Sequence, residues 1–342
     1  MLEARIAATG PMTLADYMTE CLLHPTHGYY TTRDPFGTAG DFITAPEISQ
    51  MFGELIGLAL AQTWLDQGAA PQIVLAELGP GRGTLMADLM RATRAVPGFH
   101  AALRICLVEA SPVLRAQQQT TLAQYPVSWF DDVTQLQQAP LYLIANEFFD
   151  ALPIRAFQRD DGGWRERMVG PGLKPGLSPA ADIPALRPRL ADTAQGQIVE
   201  MCSLAPGIMA QIADRIARHG GAALILDYGD WNARGDTFQA VQAHGFADPF
   251  AEPGQADLTA HVDFAALAAG LPVSHAYTTQ GRFLRTLGIQ ARSDRLATQL
   301  QGPALQSHLA ATHRLTDDTE MGNLFKLLAL YPKTCQPPAG SA

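Results

Sequence analysis

Apolar residues follow two rhythms along this chain. Short unbroken runs at 73–76, 105–108, 141–145 and 222–226 each stop at an acid or an amide: Glu77, Glu109, Asn146 and Asp227. Runs of this length, bounded by polar residues, suit strands buried on both faces, as in a parallel sheet. Between them the spacing changes to three and four. Residues 48–64, 84–91 and 203–219 carry apolar side chains at helical spacing, and Gly220-Gly221 stops the last of these. Strands that alternate with helices predict an α/β fold with a doubly wound, mostly parallel sheet. Further strands are expected at 127–132, 273–277 and 324–330, which makes the sheet seven-stranded.

Two stretches break the alternation. Residues 154–158 and 164–169 flank Asp160-Asp161-Gly162-Gly163, which signals a hairpin. Residues 170–188 are rich in Pro and Gly and read as a loop, and 197–201 could add a short strand. The span 154–201 is therefore expected to be an antiparallel insertion. Residues 230–260 lack periodicity and 281–313 read as helical, so 230–320 is expected to form a largely helical lobe. Residues 1–70 precede the first core strand and are expected to form a helical lid segment, with the core at 71–342. Thr13 and Asp16 have the spacing of a capping box.

The first strand runs into Glu77-Leu78-Gly79-Pro80-Gly81-Arg82-Gly83-Thr84. Glycine permits φ > 0 and close approach of a ligand to the backbone. The spacing G-x-G-x-G fits neither the dinucleotide fingerprint nor the phosphate loop. An acid at position 77 would repel a pyrophosphate but suits a ligand that carries an amino group. Glu109 ends the second strand, where an acid can accept hydrogen bonds from ribose hydroxyls. Ser111 precedes Pro112 as a candidate N-cap. The third strand ends at Asp131-Asp132; either could meet the exocyclic amine of a base, and one of them could cap the turn. The fourth strand ends at Asn146, Glu147 and Asp150, with Phe148 and Phe149 between. Asp150 could also cap a helix starting at Ala151.

As a set, these residues resemble the MidA-like branch of class I S-adenosylmethionine-dependent methyltransferases, whose mitochondrial member is a complex I assembly factor. The resemblance is carried by residues 77–84, 40–50 (Gly-Asp-Phe-Ile-Thr-Ala-Pro-Glu-Ile-Ser-Gln), 24–30 (His-Pro-Thr-His-Gly-Tyr-Tyr), 146–153 (Asn-Glu-Phe-Phe-Asp-Ala-Leu-Pro) and 321–330. The family pattern often has Ser where Ala45 stands. The resemblance implies a Rossmann-like fold whose last strand runs antiparallel, and S-adenosyl-L-methionine as cofactor. It implies a lid over that cofactor that includes Asp41 and Thr44. The expected cofactor residues are Glu77, Gly79, Gly81, Gly83, Thr84, Glu109, Ser111, Asp131, Asp132, Asp41 and Thr44. The expected catalytic residues are Glu147, Asp150 and Asn146. The activity implied is protein arginine methylation, with a complex I subunit as substrate.

Composition narrows this picture. The formal net charge is −9 and no basic run occurs, which argues against a nucleic-acid surface. The four cysteines lie far apart without a C-x-x-C pair, so they read as reduced thiols, and no metal site is expected. No apolar run is long enough to span a bilayer. The first ten residues lack a signal-peptide core. A bacterial cytoplasmic protein is expected, or a mitochondrial matrix protein in processed form; oligomeric state is open. Two other readings compete: a dinucleotide oxidoreductase, and a non-catalytic assembly factor that binds the cofactor without turnover. The glycine spacing weighs against the first.

Overall fold

The computed structural model describes residues 1–32 and 43–342. Every apolar run noted above becomes a strand: β1 (Ile73–Leu78), β2 (Leu103–Val108), β3 (Val127–Phe130), β4 (Leu141–Asn146) and β5 (Gly221–Asp230). They are joined by β6 (Val262–Asp263), β7 (Ser274–Thr279) and β8 (Phe325–Tyr331). The strands form one mixed sheet in the order β7-β8-β5-β4-β1-β2-β3, with β6 beside the end of β5. β1 to β5 pair in parallel, and β8 lies antiparallel between β5 and β7. The sheet has eight strands where the apolar runs predict seven. The extra one, β6, pairs only Val262 and Asp263 with Gly229 and Asp230, too short a stretch to carry a periodic signal.

Side chains alternate across the strands, and both faces are buried. On one face Leu75, Leu107, Ile144 and Leu226 pack under α1 (Gln50–Asp66) and α2 (Thr84–Ala92). On the other, Val74, Leu143 and Ile225 pack under a later helix, Ala205–His219. Unbroken apolar runs are the outcome, because neither face meets water. Helix α3 (Pro112–Thr121) follows β2.

Residues 1–70 are not a single lid. α1 belongs to the sheet's own helical layer. Its buried Glu54 accepts from Arg91 on α2 at 2.7 Å and from Arg292 at 2.8 Å, the latter on helix Ile289–Ala297. Further upstream, Thr13 and Asp16 form the capping box that their spacing predicts. Met12 and Thr13 pair with Val169 and Met168, so the N-terminal segment adds an edge strand to the insertion. The insertion has the expected hairpin, Ile154–Asp160 with Gly163–Val169, and Ile198–Cys202 lies on its other side.

The span 230–320 is also not largely helical. Its first part holds a three-stranded sheet of Gln239–Gln242, Gly245–Ala247 and Asp257–Thr259. These strands are three or four residues long, too short to show alternation. Helices dominate only after β7, as Gln280–Thr286, Ile289–Ala297 and Gly302–Thr316.

Candidate active site

From β1 the sheet is built outward in both directions, to β2 on one side and to β4 on the other. The carboxyl ends of strands at such a switch point leave a crevice. A pocket here is lined by Glu77, Gly79, Gly81, Thr84, Asn146 and Glu147, among others. Gly79, Gly81 and Gly83 all have positive φ, at 58°, 53° and 81°. The loop therefore needs glycine for its backbone, besides the room that a missing Cβ leaves. At Gly79 a Cβ would stand 2.9 Å from the Phe148 ring.

Glu77 is 3% exposed, and its Oε2 has no hydrogen-bond partner among the described residues. Burial pushes its carboxyl up to about 8, with the charge of Glu109 adding to the shift. Glu109 is buried at the end of β2, and burial raises its carboxyl as well. Its Oε1 accepts from the Ser111 N–H at 2.8 Å and its Oε2 from Gln118 Nε2 at 3.1 Å. Gln118 also donates to the Gly81 carbonyl at 2.7 Å and accepts from Trp129 Nε1 at 2.9 Å. It thereby joins the glycine loop, Glu109 and β3. Sequence reasoning missed Gln118. The available signal was a polar residue in the helical stripe Leu114-Gln118-Leu122.

Ser111 caps α3, as predicted, and its hydroxyl also donates to the Tyr30 carbonyl at 2.7 Å. Asp132 caps a short turn by accepting from the Thr134 N–H at 2.6 Å. Asp131 is exposed and pairs with Arg115. Thr84 Oγ1 donates to Glu47 Oε1 at 2.5 Å, and Glu47 also lies 3.9 Å from Arg82. Glu47 and Thr44 line the same pocket from the N-terminal segment. The sequence reading gave Glu47 no role, although it stands within the motif at 40–50. Asp41 lies outside the described residues.

At the end of β4, Asn146, Glu147 and Asp150 come together as predicted. Asn146 Nδ2 and the Ala45 N–H both donate to Glu147 Oε1, each at 3.0 Å. Asn146 Oδ1 and Asp150 Oδ1 are buried without a partner among the described residues. Burial, then the charge of Asp150, moves the Glu147 carboxyl up to about 7. Burial moves Asp150 up to about 6. Asp150 caps no helix; its N–H donates to Asp227 Oδ2 at 3.3 Å. Asp227 ends the apolar run of β5, and the sequence reading left it without a role.

Comparison with known proteins identifies the family. A family model described as S-adenosyl-L-methionine-dependent methyltransferase matches residues 55–281, so the chain belongs to that family. Protein arginine methyltransferase NDUFAF7, mitochondrial, of Mus musculus is 38% identical, over 97% of this chain and 83% of that protein. The Homo sapiens protein of the same name is 36% identical, over 97% of this chain and 82% of that protein. A COG1565 superfamily member from Burkholderia thailandensis, bound to S-adenosyl-homocysteine, matches with a TM-score of 0.84 and 29% identity, covering 100% of this chain and 93% of that one. No helix among the described residues is long and apolar enough to cross a membrane.

Two predictions follow from the glycine loop and Glu77. Gly81→Val puts a β-branched residue at a φ of 53°, a left-handed conformation that costs a non-glycine residue about 1–2 kcal/mol. The variant should fold with a lowered melting temperature and show no heat of binding with S-adenosylhomocysteine. Wild-type affinity would mean that the loop is only a connection. The second concerns pH. Glu77 has a carboxyl raised from 4.5 to about 8 in the folded protein. Its contribution to stability is complete below the lower value and is lost as pH rises through the upper one. Without cofactor, the melting temperature should fall across this window, and Glu77→Gln should flatten the part of the fall nearest pH 8. An unchanged curve would assign that part to another group.

Proposed function

We propose that this methyltransferase transfers its methyl group to an arginine of a protein, and that Glu147 and Asp150 hold the guanidinium. The observation that carries this reading is the buried Asp150 carboxyl next to the half-buried Glu147, which lines the pocket at the glycine loop, with Asn146 Oδ1 and Asp150 Oδ1 lacking partners among the described residues. Buried carboxylates are costly unless a cation or hydrogen-bond donors meet them. A guanidinium supplies both, with its donors in a planar fork that matches a carboxylate. The names of the mouse and human relatives support the same acceptor. We propose a complex I subunit as the substrate protein, which follows from the family resemblance.

The cofactor residues follow from the same chemistry. Glu77 Oε2 and the Gly79 carbonyl would take the ammonium of S-adenosyl-L-methionine, and Arg82 with the loop N–H groups its carboxylate. Glu109, oriented by Ser111 and Gln118, would accept from the ribose hydroxyls. Of the two acids after β3, Asp131 pairs with Arg115 and Asp132 caps its turn, each through Oδ1, so either would meet the adenine amine with its other carboxyl oxygen. Thr44, Thr84 and Ser111 would close the pocket wall; Asp41, which the family resemblance adds to the cofactor residues, lies outside the described residues. When bound, the cofactor supplies an electrophilic methyl group on a positively charged sulfur.

The chain's own part is orientation and proton handling. A protonated guanidinium is a poor nucleophile. Two parallel hydrogen bonds to Glu147 draw its charge to one side and fix the direction of the other nitrogen. Asp150 Oδ1 is the acceptor for the proton released on methylation. Glu147 must be ionised to act this way, so transfer should rise as pH passes about 7.

Glu147→Gln keeps the shape of the side chain and removes its charge. Cofactor binding should stay near wild type, while kcat falls by about a hundredfold or more. Labelled methyl transfer to an arginine-bearing subunit, beside thermal shift with S-adenosylhomocysteine, measures both. A wild-type rate would put the acceptor elsewhere. Glu109→Ala should weaken cofactor binding by about tenfold to a few hundredfold, from lost charge-assisted hydrogen bonds of about 1.5–3 kcal/mol each. An analogue without ribose hydroxyls should be nearly indifferent to the change; equal losses for both ligands would remove Glu109 from the ribose.

A further inference from the structure

We propose that Asp227 is a positioning residue, whose buried carboxylate holds the turn 147–150 in the conformation that aims Glu147 at the acceptor. The inference rests on the reading of Glu147 given above.

Glu147 has a φ of 50°, in the left-handed region. A residue with a side chain stays there only where its surroundings fix it. The fixing contacts are visible. The Glu147 N–H continues the β4–β5 pairing by donating to the Leu226 carbonyl at 2.9 Å. The next three N–H groups, of Phe148, Phe149 and Asp150, all point at Asp227 Oδ2, at 3.2, 3.0 and 3.3 Å. Asp227 Oδ1 accepts from the Tyr228 N–H at 3.0 Å. Successive N–H groups turned to one anion form a concave backbone cradle. Here the anion belongs to the protein.

Asp227 is 0% exposed, so this carboxylate leans on its N–H donors and not on water. Its register partner on β8 is Lys326, which directs its ammonium to the carbonyls of Gly229, Asn323 and Leu324 instead. The cradle is therefore what compensates the charge. Ordinary packing would not require a charged group here; Ile225, on the same face of β5, is buried and apolar.

The charge has a second effect. Asp150 and Glu147 lie close enough to raise the Asp227 carboxyl, after burial, which is the largest cause. Burial and these like charges favour a protonated Asp227, and its four N–H donors favour the ionised form; held ionised by those donors, Asp227 repels a charge on Glu147 in turn. Other groups face this trio. Tyr228 adjoins Asp150 and packs edge-on against His261. Tyr30 adjoins Asp150 and donates to Asp257 at 2.7 Å, while Arg314 acts on Glu147 with the opposite sign. None of these donates to the backbone of the turn or accepts from it among the described hydrogen bonds. Asp227 alone joins both effects.

Asp227→Asn separates the two. It keeps one oxygen that can accept the N–H groups, and it removes the charge. S-adenosylhomocysteine affinity should stay within about twofold, and kcat should fall by about tenfold or more as the turn loosens. The acid limb of kcat/KM should move to lower pH, by about half a unit or more, because a like charge beside Glu147 is gone. A purely structural role would lower the rate and leave the limb in place, and that result would overturn the proposal. Asp227→Glu retains the charge but shifts the oxygens by one methylene; its limb should stay where the wild type has it while its rate falls. Hydrogen exchange on the unmodified protein tests the cradle without any variant. The amides of Phe148, Phe149 and Asp150 should exchange slowly, and fast exchange would overturn the proposal. An inactive Glu147→Gln with an unmoved limb in Asp227→Asn would sink the inference alone; an active Glu147→Gln would sink the arginine reading instead.

Discussion

Carboxylates taken out of water at the ends of parallel strands set the terms for the whole site. Glu77 on β1, Glu109 after β2, Glu147 and Asp150 after β4, and Asp227 on β5 cluster along one edge of the sheet. Of these, Glu77, Glu109, Asp150 and Asp227 are buried, and burial is the first cause of the upward shift in all five carboxyls. A buried charge without compensation would cost more than the marginal stability of a domain allows. Three solutions are used along the edge. Asp227 is met by backbone N–H groups. Glu109 is met in part by Ser111 and Gln118. Glu77 and Asp150 each keep an oxygen without a partner among the described residues, and a protein that invests in such groups needs a cationic or donor-rich ligand to meet them.

The parallel sheet explains why the acids stand in one place. Each crossover returns the chain to start the next parallel strand at the same end, so β1 to β5 all finish on the same edge. Loops leave from there, and only loops can turn backbone N–H groups inward. The N-terminal segment then supplies the wall opposite the glycine loop. The Ala45 N–H reaches Glu147, Glu47 reaches Thr84, and the Tyr30 carbonyl accepts from Ser111. One contact falls on the β4 turn, one on the residue after the glycine loop and one on Ser111, which donates to Glu109. The segment therefore ties together the ends of β1, β2 and β4.

Some of this was legible in the sequence and some was not, for physical reasons. Strands buried on both faces must be apolar at every position, so 73–76 and 222–226 declared themselves. Gly79, Gly81 and Gly83 were legible because the backbone conformation they adopt excludes other residues. Ser111 and Thr13 were legible because a cap acts on a neighbour three residues away. Asp227 was not, since its partners lie 77 to 79 positions away in the chain. Gln118 looked like an ordinary helical residue until the Gly81 carbonyl and Glu109 were brought to it from other elements. Strands 239–242, 245–247 and 257–259 were hidden by their length, and β6 by having only two residues. The reading of 1–70 as one lid failed because helix α1 is apolar on nearly every side, and only the packed sheet says which layer owns it.

The arrangement of charge also bears on which acceptor the site prefers. An apolar or neutral acceptor would leave the Glu147 and Asp150 carboxyls to take up protons, and burial already favours that form. A cation reverses the preference: each carboxyl it meets gains by staying ionised, so binding is linked to proton release. A lysine ammonium would satisfy the charge, but it is a compact, strongly hydrated ion whose donors point in three directions. A guanidinium loses less hydration and presents its donors in a plane. Glu147 Oε1 is already held by Asn146 and by the Ala45 N–H, which fixes the plane of its carboxylate. A fixed plane is wasted on a point charge and useful to a fork. On the proposed reading, that geometric economy, more than the count of acids, favours arginine over lysine at the end of β4.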